Sequence, residues 1–247
     1  MKKMKSAVVF AALVSVFGFS SCLDSGESGP QQLQWPVNIN TSYLGSTVFT
    51  PDGAPGFTLT TDAMSLTQYG IPEGTKRAFI LYTIPEGQEM NQESKTQKIE
   101  LVPGSSRVIP IANISNRPDT LQDYTSKIKQ FTPVIAGMPG VYTNDRYLII
   151  NCSYEASEVA KIGLVPNRVS AAKDTLYLDL KLKTKEGYRY GETFWATNYD
   201  LSSCNEFFDL VASNETKDSV YVTVRALSVN AGQEKVDSIT TQAIYRY

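Results

Sequence analysis

The sequence predicts an all-β protein, and three observations predict it. Side chains alternate with a period of two along most of the 247-residue chain, helical periodicity is almost absent, and proline–glycine turn signals recur at short intervals. Pro51-Asp52-Gly53, Pro72-Glu73-Gly74, Pro85-Glu86-Gly87 and Pro103-Gly104 each supply a fixed φ followed by a residue that tolerates positive φ. Short strands broken by frequent turns imply a sandwich or a barrel.

Order begins near Trp35-Pro36. Arg77 to Ile84 (RAFILYTI) and Arg146 to Tyr154 (RYLIINCSY) are nearly uniformly apolar and predict central strands covered on both faces. Lys98-Ile99-Glu100-Leu101 alternates, and Arg107 to Ile114 does so in part. In Thr175 to Lys183 the leucines at 176, 178, 180 and 182 share one face, while Tyr177, Asp179, Lys181 and Lys183 share the other. Asp218 to Ala226 repeats the pattern, with Val220, Val222, Val224 and Ala226 inward and Tyr221, Thr223 and Arg225 outward. Between Ser115 and Gln130 the pattern lapses into polar sequence, which predicts a junction at 115–130 carrying a short helix over Leu121 to Lys129. Domains are expected at 35–114 and 131–247.

The first residues carry Lys2, Lys3 and Lys5 ahead of an uncharged apolar run from Ser6 to Phe19 that ends in small residues. Those are the parts of a signal peptide, and the run falls short of the roughly 20 apolar residues that span a bilayer. Residues 1–21 are therefore expected to be removed. Phe19-Ser20-Ser21-Cys22 is similar to a bacterial lipobox, which makes Cys22 the lipidated first residue of the mature chain. Buried acyl chains contribute about 0.8 kcal/mol per CH₂, so two or more hold a protein on a membrane it does not cross. Residues 22–34, polar and broken by Gly and Pro, read as a tether. The expected address is the cell envelope, as an outer-membrane lipoprotein.

The chain carries a formal charge of −2, and losing three leader lysines makes the remainder more acidic. Nucleic-acid binders cluster Lys and Arg on one face, so no nucleic-acid partner is expected. With Cys22 acylated, Cys152 and Cys204 remain. Outside the cytoplasm they are a disulfide candidate closing a loop of about fifty residues, worth roughly 4 kcal/mol by chain entropy. The alternative is two buried thiols, because Cys152 lies within an apolar strand where cysteine packs as a small hydrophobe.

There is no histidine in the chain. Its absence removes the Ser-His-Asp and Cys-His arrangements, the usual zinc ligands and the commonest general base near neutral pH. No nucleophile elbow, phosphate loop or dinucleotide fingerprint occurs, and no segment has the alternating Asp and Asn of a calcium loop. No catalytic residue, metal or cofactor is expected. The segment Tyr188 to Tyr199 (YRYGETFWATNY) offers Tyr188, Tyr190, Trp195 and Tyr199 as ring faces for a sugar or peptide. Strand aromatics also pack inward, which makes core positions the competing reading. Asp119-Thr120, Asp174-Thr175, Asp218-Ser219 and Asp237-Ser238 resemble a short O-glycosylation pattern, with Thr120 the accessible one.

Several stretches taken together resemble the NigD-like lipoproteins of Bacteroidetes. In the first half these are Lys76-Arg77-Ala78-Phe79-Ile80-Leu81-Tyr82 and Gln97-Lys98-Ile99-Glu100-Leu101. In the second they are Arg146-Tyr147-Leu148-Ile149-Ile150, Lys161-Ile162-Gly163-Leu164-Val165-Pro166-Asn167, Asp174-Thr175-Leu176-Tyr177-Leu178 and Tyr199-Asp200-Leu201-Ser202-Ser203. The resemblance implies an N-terminal OB-like barrel followed by a C-terminal β-sandwich, and it supplies no catalytic residues.

The expected function is binding or assembly without catalysis, with an envelope protein or a glycan as partner. Two alternatives are a surface-fibre subunit that exchanges the C-terminal run Lys235 to Tyr247, and a carbohydrate- or peptide-binding module using the aromatic segment.

Overall fold

The computed structural model describes residues 32–41, 47–88, 95–133, 137–154, 159–185, 193–213, 219–229 and 236–246. The chain divides into two compact units, with the division between Pro110 and Ile111. Both are built almost wholly of strands, as the alternation predicts.

The first unit contains β1 (Gln32–Thr41), β2 (Thr47–Pro51), β3 (Thr58–Thr61), β4 (Arg77–Thr83), β5 (Thr96–Lys98), β6 (Glu100–Leu101) and β7 (Arg107–Val108). β1 begins three residues before Trp35, so the end of the expected tether belongs to the sheet. β1 pairs with β2 and β4, and β2 pairs with β3. β5 runs parallel to β3, whereas β6 runs antiparallel to β4. Only Ile99 separates β5 from β6; its side chain is buried and its N–H donates to the Thr60 carbonyl at 2.8 Å. One bent strand thus joins the two edges of the sheet and curls it into a half-barrel, β1-β2-β3-β5/β6-β4. Trp35, Val37 and Ile39 of β1 and Ala78, Ile80 and Tyr82 of β4 are buried, while Phe79 and Leu81 on the other face of β4 are only half-buried.

A buried ion pair crosses this barrel. Arg77 stands opposite Asn38 in the β1–β4 register and donates to Asn38 Oδ1. It also donates through both terminal nitrogens to Asp52, at 3.1 and 2.7 Å. Arg77 is 1% exposed and Asp52 0%. The Trp35 indole N–H donates to the Asp52 carbonyl at 2.8 Å, tying the turn after β2 to β1.

The second unit contains β8 (Ile111–Asn113), β9 (Gln130–Phe131), β10 (Val141–Asn144), β11 (Tyr147–Tyr154), β12 (Val159–Val169), β13 (Thr175–Thr184), β14 (Thr193–Asp200), α1 (Asn205–Ala212), β15 (Ser219–Val229) and β16 (Val236–Arg246). One sheet has the order β10-β11-β14-β8, with β9 also on β11; the other has the order β12-β13-β15-β16. Leu148, Ile150, Cys152 and Tyr154 of the first meet Leu176, Leu178, Leu180 and Leu182 and Val220, Val222 and Val224 of the second in one core. That is a β-sandwich, with Phe207 and Leu210 of α1 closing the core. Every residue of β11 is buried, the two-sided strand that RYLIINCSY predicts.

Residues 115–130 are part of this unit, which corrects the expected junction. Pro118–Leu121 is a 3₁₀ turn, and Leu121 and Tyr124 pack on Val165 of β12. No helix follows over Leu121 to Lys129. Instead Ser126 N–H donates to the Leu182 carbonyl at 2.9 Å and Ile128 N–H to the Leu227 carbonyl at 2.8 Å, beyond the last parallel pair of β13 and β15 at Leu180 and Ala226. Lys129 N–H then reaches the Ser153 carbonyl of β11 at 2.7 Å. Backbone groups left open where two strands part are satisfied by this segment, so extended chain prevails over helix.

β16 pairs with β15 from Val236 through Arg246 and thereby completes its own sandwich. The edge strand β12 carries two register breaks and Pro166, features that blunt strand addition.

Replacing Arg77 by Met should cost about 3–5 kcal/mol in urea unfolding, because the Asp52 charge stays buried without its cation. Adding Asp52→Asn should recover part of the loss. A single substitution costing under about 1 kcal/mol would contradict this.

Candidate functional site

Of the residues singled out by sequence, Cys152, Tyr199 and Cys204 lie within the sandwich core. Cys22, Tyr188 and Tyr190 lie outside the described residues, and Trp195 is placed by its backbone alone, opposite Cys152 on β11. Tyr199 is 1% exposed within the sandwich core. Burial, and then the neighbouring Cys152, push its phenol well above the ordinary range. Tyr199 is therefore a core aromatic and not a ring face for ligand. Thr175, in one glycosylation-like pattern, is buried and its hydroxyl donates to Asp174 at 2.9 Å, which withholds it from modification.

Cys152 and Cys204 are both buried as free thiols in the same core. Burial raises each from 9.0 to about 12, and the Cys204 thiol donates to Glu206 Oε2 at 3.3 Å.

Among the described residues, concave surface lies in the first unit, on the connection between β3 and β4. Connections as long as this one are uncommon without a role. Its middle is a 3₁₀ turn at Thr67–Tyr69 that ends on Gly70 in the left-handed region, φ 85°. Gly104 N–H donates to the Gln68 carbonyl and Ser106 N–H to the Tyr69 carbonyl, both at 3.1 Å. A Cβ on Gly70 would stand 2.8 Å from the Ser106 carbonyl oxygen, so only glycine permits this close approach. Ile71 then turns inward and is buried.

Two clefts flank the clamped segment. One, of about 500 Å³, lies between Ile39, Thr41 and Thr47 at the barrel end and Leu66, Pro72 and Lys76. The other, of about 570 Å³, is lined by Asp62, Gln68, Tyr69, Gln88, Lys98 and Glu100. Gln97 Nε2 donates to Gln88 Oε1 at 2.9 Å and steadies that amide, and Lys98 pairs with Asp62. Met64 belongs to both rims and is 97% exposed. A phenol ring, two amides, two carboxylates and an ammonium can hydrogen-bond and stack on a polar ligand. Among the described residues no three acidic or cysteine side chains converge as metal ligands.

Sequence reasoning passed over Met64, Tyr69 and Gln88. The signal for Met64 and Tyr69 was the break in period-two alternation between Thr61 and Arg77, which marks a loop of unusual length and not a weak strand.

The thiols generate a prediction. Their folded values lie above the unfolded one, so the stability they contribute is complete below pH 9.0 and falls as pH climbs toward about 12. A thiol reagent at neutral pH should leave Cys152 and Cys204 unlabelled in the native protein and label both after unfolding without reductant. Fewer than two thiols in the unfolded protein would mean a bridge.

The sequence matches no family model and no curated protein. Solved structures do share the fold. A protein assigned as a lipoprotein from Bacteroides fragilis aligns at a TM-score of 0.61 and 17% identity, over 88% of this chain and 99% of that one. A toxin-related protein from Parabacteroides distasonis aligns at 0.53 and 14%, over 86% and 93%. A NigD-like immunity protein from Bacteroides caccae aligns at 0.50 and 11%, over 86% and 94%. At these identities the likeness is one of fold, and it agrees with the resemblance to NigD-like lipoproteins read from the sequence.

Proposed function

We propose that the chain is a non-enzymatic binding component of the cell envelope, held at the outer membrane by lipid on Cys22 and capturing its ligand in the clefts beside Met64 and Tyr69. The observation that carries the reading is the clamped 67–69 turn, which fixes a ring and polar side chains around two open clefts. A rigid, preformed, polar hollow suits recognition, because little side-chain order has to be acquired on binding. The leader ending at Cys22 and the absence of histidine agree with it. The name of the Bacteroides caccae relative, an immunity protein, favours a protein partner and so an exposed peptide segment as ligand.

The test is crosslinking of the lipoprotein in its own membrane, with captured molecules identified by mass spectrometry, for the native chain and for Tyr69→Ala and Met64→Ala. A specific partner whose capture falls about tenfold in Tyr69→Ala, with unchanged unfolding, is the expected result. Capture that ignores both substitutions would move the site elsewhere. Turnover of an envelope substrate that depends on particular carboxylates would refute the non-enzymatic reading.

A further inference from the structure

The chain enters the first unit beside one of the two clefts. Gln32, the first residue of β1, stands opposite Thr83 at the end of β4, and Thr83 stands opposite Glu100 of β6. Neighbouring strands lie about 4.8 Å apart, so Gln32 is roughly 10 Å from Glu100 through this register. Glu100 lines the cleft of about 570 Å³, as do Pro85 and Gln88, which follow Thr83 in the chain. The cleft of about 500 Å³ instead takes in Ile39 and Thr41, at the other end of β1. β1 has 10 residues, so at about 3.3 Å each that end is roughly 30 Å from the entry point.

The entry point matters because of what precedes it. Cys22 lies ten positions before Gln32, and even a fully extended chain covers no more than about 3.3–3.6 Å per residue. A lipid on Cys22 therefore holds Gln32 within about 35 Å of the bilayer surface, whatever path the linking residues take. The rim at Glu100 stays in the same layer, within reach of segments that stand just outside the membrane. That rim also has a charge preference. Lys98 is taken by Asp62, whereas Glu100 and Glu86 of the adjoining turn are exposed and hold no ion pair among the described residues. Tyr69 lines the same cleft, and a phenol ring accepts a cation on its face. A carboxylate together with a ring face favours a Lys or Arg side chain over an acidic one.

We propose that this cleft takes a basic peptide segment of a partner protein held in the same membrane, standing within about 35 Å of the bilayer. The inference rests on the lipid anchor and the cleft proposed above, and adds where the ligand comes from and which charge it carries. Glu100 pairs with its Lys or Arg, Tyr69 packs on the stem of that side chain, and the amides of Gln68 and Gln88 offer hydrogen bonds to its backbone. With both proteins held by one membrane, a short tether makes the encounter nearly intramolecular, and the effective concentration falls roughly as the −3/2 power of tether length.

The test is zero-length carbodiimide coupling of the full-length lipoprotein in its own membrane, which joins a carboxylate to a lysine amine in contact with it, the joined residues being read by mass spectrometry. Coupling at Glu100 should exceed that at Glu73, exposed at the other cleft, and should reach lysines beside the membrane anchor of a membrane-held protein. Capture of that protein by an amine crosslinker is then compared in Glu100→Gln, in Tyr69→Ala and in a chain with about 30 Gly and Ser residues inserted after Gly29. It should fall about fivefold in Glu100→Gln, the loss expected of one ion pair, and about eightfold with the insertion, while the melting temperature of each form holds. Coupling of Glu100 to soluble proteins alone, or no more coupling there than at Glu73, overturns the proposal. So does capture that falls in Tyr69→Ala but ignores either the insertion or Glu100→Gln, which keeps the cleft as the site and removes the membrane-held basic partner. Capture indifferent to all three changes overturns the binding reading of the cleft as well.

Discussion

The sandwich rests on side-chain parity along two strands far apart in sequence. Leu176 to Leu182 and Val220 to Ala226 face the same way only because β13 and β15 run parallel with Leu176 beside Val222. A slip of one residue would put Tyr177, Asp179 and Lys181 into the core and lift every leucine into water. At roughly 1.5–3 kcal/mol per buried aliphatic side chain, no local contact competes with that penalty. The positions of β11, α1 and the 126–128 segment all follow from it, because each packs its own apolar residues on this face.

The barrel unit is organised differently. Its strands are shorter, and it closes by bending one strand at Ile99 instead of by stacking a second sheet. Arg77, Asp52 and Asn38 add a requirement that apolar packing lacks, since a guanidinium meets a carboxylate through two parallel hydrogen bonds in few geometries. Such a pair adds little net stability over a hydrophobic substitute, but it penalises alternative registers of β1 and β4.

Regular strands were legible in the sequence because burial and the period of two coincide in them. β13 is read to within one residue and β15 to within three, and the four turn glycines at 53, 74, 87 and 104 all have the positive φ their motifs require. The boundary between units was misplaced because Arg107 to Ile114 alternates as if it were one strand. In fact Pro110 divides it, with β7 on the barrel and β8 beside β14. The 126–130 segment was read as part of the polar junction 115–130 because its role is to satisfy backbone groups of other strands, and polar composition carries no trace of that. The clefts were invisible for a related reason: Tyr69 is held by the clamp at Gly104 and Ser106 while Gln88 is held by Gln97, contacts between segments distant in sequence. The aromatic run near Trp195 drew attention by composition, yet Tyr199 takes the inward position of its strand.

The segment that fills the fork between β13 and β15 also orders events in time. The Ser228 hydroxyl meets the Lys129 carbonyl across 99 residues of chain, and Ser126 and Ile128 likewise precede the strands they join. A chain made from its N-terminus has these residues in hand well before β13 and β15 exist, so they remain unpartnered until most of the second unit has emerged. Contacts of such long range are slow to close. The sandwich therefore completes late and all at once, and a chain cut short before β15 leaves an exposed apolar Ile128 and an unfinished fork for other chains to find.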